Sequence, residues 1–379
     1  MNFKTALHAG WLGLAFGLSG LGVQAAQAAP PCRIAFDIGS SGVRAGASNN
    51  PDVAHVDIDF LAPLWAGRGL EETFSPTAIA LKNLPLGARF SSRCDRVAAA
   101  FSAWRLAWQQ SASETTALMA RMQADTRVAV LVMPQSVEGA YAYASALDVL
   151  GPRLTSSHVL DVGSGSLQIA GARSTYGQAL GQKSWHQLLC TTLRQSAVPS
   201  CDLQPMAAED LQAARFALDE KFSGISAALE PSTTLTAISR PITRGVAPAV
   251  RLLVEGKAGP VDRLLAKDLS AAITAMAELS SEKIATLTGT PPSYAAYLLS
   301  DMLLLEGLLR ATSATDIKII EGTLSILPAL LSDDKAFKWS LRYGCYLERF
   351  KVSGPDAYFS DPATCEKKLL PSAGLPRAR

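Results

Sequence analysis

Two stretches of the chain share one order of apolar and polar positions. In Arg33–Arg44 and again in Val159–Gly171, an apolar run ends in an Asp, and a Gly/Ser turn follows. Each stretch then ends in a segment in which apolar residues alternate with polar or small residues. This order is typical of two antiparallel strands joined by a tight turn. The repeat predicts two related α/β lobes that face each other.

The segment between the two repeats changes to a helical period. Apolar residues recur at three- and four-residue spacing in Arg96–Gln110 and Glu114–Gln123, which predicts two amphipathic helices. Val128–Met133 is a continuous apolar run, as expected of a buried parallel strand. Ser136–Leu150 is rich in Ala and predicts a helix, with Ser136 as its candidate cap.

The second half of the chain predicts long helices. Apolar periodicity indicates one helix over Ala207–Leu229, another over Val261–Leu287 and a third over Ser293–Thr312. The last stretch, Asp333–Arg379, is more polar and contains two cysteines. We expect it to be an extension that packs on the lobes rather than a further domain.

The N-terminus has the layout of an export signal. Lys4 is followed by an apolar stretch from Ala9 to Val23 and then by the small residues Ala26–Ala28. We expect cleavage after Ala28 and a mature chain in the periplasm or outside the cell. An uncleaved membrane anchor is the alternative, although the apolar stretch is short and Gly-rich for a span.

These patterns divide the chain into four parts. We expect a signal peptide in residues 1–28, a first lobe in 29–135, a second lobe in 136–322 and a C-terminal extension in 323–379. The cleft between the two lobes is the expected place for a ligand.

The composition excludes several classes of partner. A chain of 379 residues with 48% hydrophobic residues can bury a large core. Its formal charge of +2 gives no positive field that would hold nucleic acid or a membrane surface. We therefore expect neither partner once the signal is removed. Four histidines and no C-x-x-C spacing argue against a dedicated zinc site.

The six cysteines all lie after the predicted signal, and an even number in an oxidising compartment suggests disulfides. The alternative is that two or more of them are buried thiols. Short loops cost the least entropy to close. This favours the pairs Cys190–Cys201 and Cys345–Cys365, and it leaves Cys32 with Cys94.

The two Asp-Gly-Ser turns are the strongest candidates for chemistry. Backbone N–H groups and hydroxyls converge at such a turn and bind anions. The carboxylates of Asp37 and Asp161 beside the turns can hold a divalent cation, Mg²⁺ or Mn²⁺, which offsets phosphate charge. One turn in each lobe predicts a phosphate chain clamped between them. Two purely structural hairpins are the alternative.

The turn sequences resemble those of one enzyme family. Asp37–Arg44 (DIGSSGVR) resembles the first phosphate motif of the exopolyphosphatase and guanosine pentaphosphate phosphohydrolase (Ppx/GppA) family. Asp161–Gln168 resembles its second motif, D-I-G-G-G-S-T-E, and Ala100–Ala107, Met133–Ala140 and Asp316–Leu324 match further segments in order. The resemblance covers about residues 33–331. It implies an α/β fold of two actin-like (ribonuclease H-like) lobes, in a short form without the family's C-terminal HD-type domain.

The resemblance also implies roles for individual residues. Glu138 matches the Glu that activates the attacking water, and Asp37 and Asp161 match metal-associated aspartates. Arg44 and Arg105 match phosphate-binding arginines. The residues that would cradle phosphates are Gly39, Ser40, Ser41, Gly42, Gly163, Ser164, Gly165 and Ser166.

The chain departs from the family pattern at several positions. Gln168 replaces the acid that ends the second motif; an amide can orient a water but supplies no charge. Val137 replaces the first Glu of a Glu-Glu pair, and Ile320 replaces an Arg. Ala237–Thr243 lacks both glycines of a Gly-rich segment. These departures argue against nucleotide binding, and an exported protein meets little ATP.

We therefore expect an exported, exopolyphosphatase-like hydrolase that releases orthophosphate from inorganic polyphosphate. The alternative is a catalytically weak relative that binds phosphate chains or a protein partner as a sensor or assembly factor. A sugar kinase or Hsp70-like ATPase would need an adenosine pocket, for which Thr288–Thr290 and Ser353–Pro355 offer only ordinary turns. The oligomeric state is open, with a homodimer as one option.

Overall fold

The computed structural model describes residues 32–196, 201–230, 233–320 and 325–365. The predicted signal peptide, residues 1–28, lies outside these ranges, as do residues 321–324 of the last matching segment. Among the described residues, no helix combines the length and apolar character needed to cross a membrane.

The first lobe is built on a sheet of five strands: β1 (Arg33–Ile38), β2 (Gly42–Ala47), β3 (Asn50–Asp57), β4 (Asp95–Ala100) and β5 (Ala129–Val132). Their order in space is β3-β2-β1-β4-β5. Strand β2 is antiparallel to both neighbours, whereas β1, β4 and β5 are parallel. The first predicted strand–turn–strand unit and the apolar strand β5 are thus confirmed.

The helix predicted over Arg96–Gln110 is wrong in its first third. Asp95–Ala100 is strand β4, whose last four residues are buried between β1 and β5. Ala favours helices in isolation, but pairing on both sides decides the structure here. The helix begins only at Ser102.

Five helices accompany this sheet or follow it: α1 (Leu61–Trp65), α2 (Phe74–Gly87), α3 (Ser102–Gln110), α4 (Ala112–Thr126) and α5 (Gln135–Leu150). The helices predicted over Glu114–Gln123 and Ser136–Leu150 are confirmed as α4 and α5. Ser136 is not the cap of α5, because Pro134 holds that position and makes no side-chain cap bond. Proline disfavours helical geometry in the residue before it, so the chain turns from β5 into α5 there.

The second lobe repeats the arrangement on a sheet of six strands: β6 (His158–Val162), β7 (Leu167–Gly171), β8 (Thr175–Gln178), β9 (Leu235–Ala237), β10 (Arg263–Leu265) and β11 (Asp316–Ile319). Their order is β10-β11-β9-β6-β7-β8. The series β8-β7-β6-β9-β11 matches β3-β2-β1-β4-β5 in direction as well as order. The predicted internal repeat is confirmed, with β10 added at one edge.

The helices of this lobe are α6 (Gln182–Leu193), α7 (Ala208–Lys221), α8 (Ile225–Ala228), α9 (Ala247–Glu255), α10 (Ala266–Ala277), α11 (Ser281–Thr288) and α12 (Pro292–Thr312). Helix α12 confirms the third predicted helix. The other two predicted helices are interrupted. Val261–Leu287 contains β10 before α10, and Ser280 then caps a separate helix by accepting a hydrogen bond from Lys283 N at 3.4 Å. The helix predicted over Ala207–Leu229 ends at Lys221, and a separate short helix begins at Ile225.

Three C-terminal helices pack on the first lobe: α13 (Leu327–Ser332), α14 (Asp334–Leu341) and α15 (Tyr343–Ser353). The hydroxyls of Tyr343 and Tyr346 donate to the carbonyls of Val130 and Val132 at 3.0 and 3.2 Å. They also accept from the amides of the same two residues, at 3.3 and 2.9 Å. Strand β5 therefore has side-chain partners along its outer edge.

Shorter helical segments complete the described structure. A π-helical turn precedes α9, and the rest are 3₁₀ turns. The segments are Glu71–Thr73, Gly151–Arg153, Pro241–Val246, Gly354–Phe359 and Pro362–Thr364.

The six cysteines form the two pairs that proximity along the chain favours and the third pair that remains. None of them is a free thiol. The Cα–Cα distances are 4.6, 5.6 and 6.1 Å for Cys32–Cys94, Cys190–Cys201 and Cys345–Cys365. These are ordinary disulfide separations, and they are compatible with an oxidising compartment.

Candidate functional site

The two Gly/Ser turns meet tip to tip between the lobes. Each is closed by the same backbone bond: Gly39 N donates to Gly42 O at 3.0 Å, and Gly163 N donates to Ser166 O at 2.9 Å. Across the cleft, Ser164 Oγ donates to Ser41 Oγ at 3.3 Å. The residues predicted to cradle phosphate are therefore brought together by the repeat of the fold.

Gly165 allows this close approach. A Cβ atom at Gly165 would lie 2.7 Å from Ser40 Oγ and 2.6 Å from Ser102 Oγ. Those two hydroxyls are themselves 2.5 Å apart. Ser102 is the first residue of α3 and was not predicted as a site residue. Its signal in the sequence was its place in the Ala100–Ala107 segment, beside Arg105.

The cross-strand register places each aspartate beside a particular partner. Asp37 on β1 lies opposite Arg44 on β2, and Arg44 Nη1 is 3.4 Å from Asp37 Oδ2. Asp161 on β6 lies opposite Gln168 on β7 in the same way. Directly opposite residues of an antiparallel pair point to the same face. Asp37 therefore has the positively charged guanidinium of Arg44 beside it, whereas the residue opposite Asp161 carries a neutral amide.

Glu138 lies in the first turn of α5 and is held by Arg105. Arg105 Nη2 is 2.8 Å from Glu138 Oε2, and the two side chains are only 11% and 13% exposed. The same guanidinium donates to Met133 O at 3.0 Å and to Ser166 Oγ at 3.2 Å. A planar guanidinium with three partners fixes the Glu138 carboxylate in one place.

The three acids influence one another's ionisation. Burial raises the pKa of Asp37 against the opposing effect of Arg44. Burial also raises the pKa of Glu138, which Arg105 lowers and the charge of Asp37 raises further. Burial and the charges of Glu138 and Asp37 raise the pKa of Asp161 to about 7. Glu138 therefore faces the cleft that holds both aspartates, and the site carries more negative charge than its arginines balance.

The carboxamide of Gln168 donates one hydrogen bond to the second turn. Gln168 Nε2 donates to Ser166 Oγ at 2.9 Å, and the residue is 1% exposed. Its predicted water-orienting role stays a prediction, but its hydrogen-bond partner is the second turn.

Helix α6 closes on the back of the second turn. Gln182 N donates to Gly163 O at 2.9 Å and Lys183 N donates to Ser164 O at 2.8 Å. The Lys183 Nζ atom reaches across the cleft to Asp59 Oδ2 at 3.2 Å. Neither Lys183 nor Asp59 was predicted, because their pairing depends on how the lobes meet.

The donor set of the cleft fits a magnesium or manganese ion. Among the described residues, the three-residue group whose ligand atoms lie within 4.8 Å of one another is His186, Cys190 and Cys201, and its cysteines form a disulfide. Asp37 and Asp161 do not form such a cage with a third acid. Mg²⁺ usually takes one or two carboxylates and fills its other positions with water and phosphate oxygens. The uncompensated charge around Asp161 suits such an ion.

The shifted pKa of Asp161 predicts a pH-dependent stability difference. The unfolded chain ionises this group near pH 3.8 and the folded protein near pH 7, so its ionisation lowers stability as pH rises between these values. In a chelating buffer, Asp161→Asn should have a higher melting temperature than wild type at neutral pH, with a free energy of unfolding higher by on the order of 2 kcal/mol after screening.

The measurement is thermal unfolding of both proteins from pH 4 to pH 8. Asp52→Asn, at an exposed aspartate of β3, is the matched control and should show no such trend. A difference between Asp161→Asn and wild type that stays constant with pH would contradict the charge crowding.

Comparison with known proteins identifies the class of fold. No family profile and no curated protein matches the chain. The chain is similar to the Aquifex aeolicus Ppx/GppA phosphatase, type II variant, with 17% identity and a TM-score of 0.58 over 80% of this chain and 100% of that one. It is also similar to an exopolyphosphatase from Cytophaga hutchinsonii, with 15% identity and a TM-score of 0.55 over 79% and 96%.

The described part of the chain is thus an α/β protein of two actin-like lobes with a cleft between them. Its fold is that of the Ppx/GppA phosphatase structures. The fold class and the family resemblance expected from the sequence are confirmed at this level.

Proposed function

We propose that the protein is a phosphoanhydride hydrolase that releases orthophosphate from the end of inorganic polyphosphate. The observation that carries the proposal is the placement of Glu138. Arg105 holds its carboxylate at 2.8 Å beside the second turn, inside the cleft that contains Asp37 and Asp161. A binding protein has no need of a carboxylate base at this position.

In the proposed hydrolysis, different residues of the cleft have different roles. The amides and hydroxyls of the two turns bind the terminal phosphate, and Arg44 and Arg105 add positive charge. Asp37 and Asp161 would hold Mg²⁺ or Mn²⁺, which supplies neutralisation of the charge that develops on phosphate oxygens. Glu138 takes a proton from the attacking water, and its raised pKa brings it closer to neutral pH, where a general base is most effective.

Inorganic polyphosphate is the proposed substrate because of the proposed compartment. Three disulfides suit an oxidising space, in agreement with an export signal in residues 1–28 and a periplasmic or secreted protein. Polyphosphate also needs no base or ribose pocket. The division into lobes at residues 135 and 136, and the extension from 323, belong to the same proposal.

One observation favours a second candidate, a relative that binds a phosphate chain without cleaving it. Gln168 supplies an amide where the similar family motif has an acid, opposite Asp161, whose pKa is raised to about 7. Loss of that carboxylate removes one ligand that a metal could use.

The deciding experiment measures orthophosphate release from long-chain polyphosphate with Mg²⁺, with Mn²⁺ and with a chelator. Release that depends on either cation is the expected result. Thermal unfolding with and without polyphosphate runs in parallel, because a ligand that binds the folded state raises the melting temperature. Protection without release would replace the hydrolase with the binding candidate. If the protein shows neither release of orthophosphate nor protection by polyphosphate, both candidate functions are overturned.

A further inference from the structure

The aspartates of the two turns have the same spacing to their cross-strand partners. Asp37 precedes Arg44, and Asp161 precedes Gln168, by the same number of residues, and each pair is directly opposed in the register. The repeat therefore makes Gln168 the counterpart of Arg44. Arg44 contacts its aspartate, but Gln168 directs its amide to Ser166 instead. Gln168 therefore contacts a different partner from its counterpart and must have a different role.

We infer that Gln168 fixes the polarity of Ser166, so that the Ser166 hydroxyl is a dedicated hydrogen-bond donor to a phosphate oxygen in the cleft. The inference rests on the proposed function and deepens it. It makes Gln168 a positioning residue that acts through Ser166.

The hydrogen bonds of Ser166 carry the argument. Its Oγ atom receives a bond from Gln168 Nε2 at 2.9 Å and another from Arg105 Nη2 at 3.2 Å. Neither the amide nitrogen nor the guanidinium can accept a hydrogen bond. Both lone pairs of the hydroxyl are therefore used, and its proton must go to a third group.

An oxygen of the bound phosphate is the acceptor that the site provides for. Ser166 is 2% exposed, and its backbone belongs to the second turn through the bond from Gly163 N to Ser166 O. Among the hydrogen bonds of the described residues, none has the Ser166 hydroxyl as donor. A buried donor without an acceptor is costly, so a phosphate oxygen that accepts from it binds more tightly.

An acid at position 168 would reverse this arrangement. A carboxylate only accepts, so it would take the proton of Ser166 and withdraw it from the ligand. It would also add a fourth acid to the cleft that already holds Asp37, Glu138 and Asp161. The amide avoids both effects. Compared with an acid, Gln168 cannot bind a metal ion. Its amide instead makes a neutral contact with Ser166 that strengthens phosphate binding.

A double-mutant cycle tests whether Gln168 acts through Ser166. The probe is tripolyphosphate, titrated by calorimetry in a chelating buffer into the wild type, Ser166→Ala, Gln168→Glu and the double variant. Each single change should weaken binding on the order of tenfold or more, as for one hydrogen bond to a charged group. The loss in the double variant should be clearly smaller than the product of the two single losses, because both changes remove the same contact and only the added charge of Gln168→Glu acts independently of it.

Other outcomes overturn the inference separately from the function. If Gln168→Glu acts only by repelling phosphate, it does so without Ser166, and the two losses will multiply; this leaves the hydrolase intact and ends the inference. If the wild type does not bind tripolyphosphate even with Mg²⁺, the proposed function falls, and the inference with it.

A second cycle guards against loss of folding. Thermal unfolding of each variant is recorded first. If Gln168→Glu does not fold, Gln168→Met replaces it, since it keeps the size of the side chain and removes the donor. The inference then expects Gln168→Met to lose less tripolyphosphate affinity than expected for Gln168→Glu, and to lose none when Ser166→Ala is already present. If the two losses of affinity multiply, the inference is overturned.

Discussion

Glu138→Gln should reduce the rate of orthophosphate release by about a hundred- to ten-thousandfold, the usual contribution of a general base. The amide cannot take a proton from water. It can still accept a hydrogen bond from Arg105, which lies 2.8 Å from the carboxylate, so the geometry of the cleft is retained. The loss should therefore appear in kcat, with KM for polyphosphate nearly unchanged.

The matched control is Glu114→Gln. Glu114 also lies in the first turn of a helix, α4, but it is exposed. Its variant should release orthophosphate at the wild-type rate. If Glu138→Gln keeps more than a tenth of the wild-type kcat, Glu138 is not the base, and Asp161 becomes the next residue to test.

Gly181→Ala should abolish activity and lower the free energy of unfolding by about 1–3 kcal/mol, the usual range for overpacking. A Cβ at Gly181 would lie 2.3 Å from Gly163 O, 2.5 Å from Ser166 N and 2.8 Å from Ser164 C. All three are backbone atoms of the second turn, so no side chain can turn aside. The backbone of Gly181 itself is ordinary, with φ at −116°, and the effect is therefore purely one of space.

Relief of that contact would require α6 to move away from the second turn. The bonds from Gln182 N to Gly163 O and from Lys183 N to Ser164 O would then be lost. Urea unfolding and tripolyphosphate titration measure the two consequences. Gly87→Ala is the control, since a Cβ there meets nothing within 4 Å and Ala favours the end of helix α2. Wild-type affinity in Gly181→Ala would contradict the tight contact between α6 and the turn.

The core of the candidate site was accessible from the sequence because it is local. Each unit consists of a strand, a turn and a returning strand, and the side chains that matter are close in sequence. Once the hairpin is recognised, Asp37 must lie opposite Arg44 and Asp161 opposite Gln168. Glu138 and Arg105 required the family resemblance, because their contact joins separate helices.

The segments that differ from the sequence-based expectation are those whose structure depends on distant partners. Arg96–Ala100 has a sequence compatible with a helix, and only its place between β1 and β5 makes it a strand. Strand β10 exists because it pairs with β11, which lies far along the chain. The contact of Lys183 with Asp59 and the narrow space at Gly181 likewise arise from packing that no local pattern records.

The tyrosine contacts of strand β5 limit how the molecule can associate with itself. β5 ends the first sheet on one side, and an edge strand with free amides readily pairs with another chain. Here the backbone groups of Val130 and Val132 are already bonded to Tyr343 and Tyr346. A second copy cannot continue the sheet there while α15 is docked. A homodimer built by joining first sheets must therefore use the opposite edge, β3, which is exposed along most of its length.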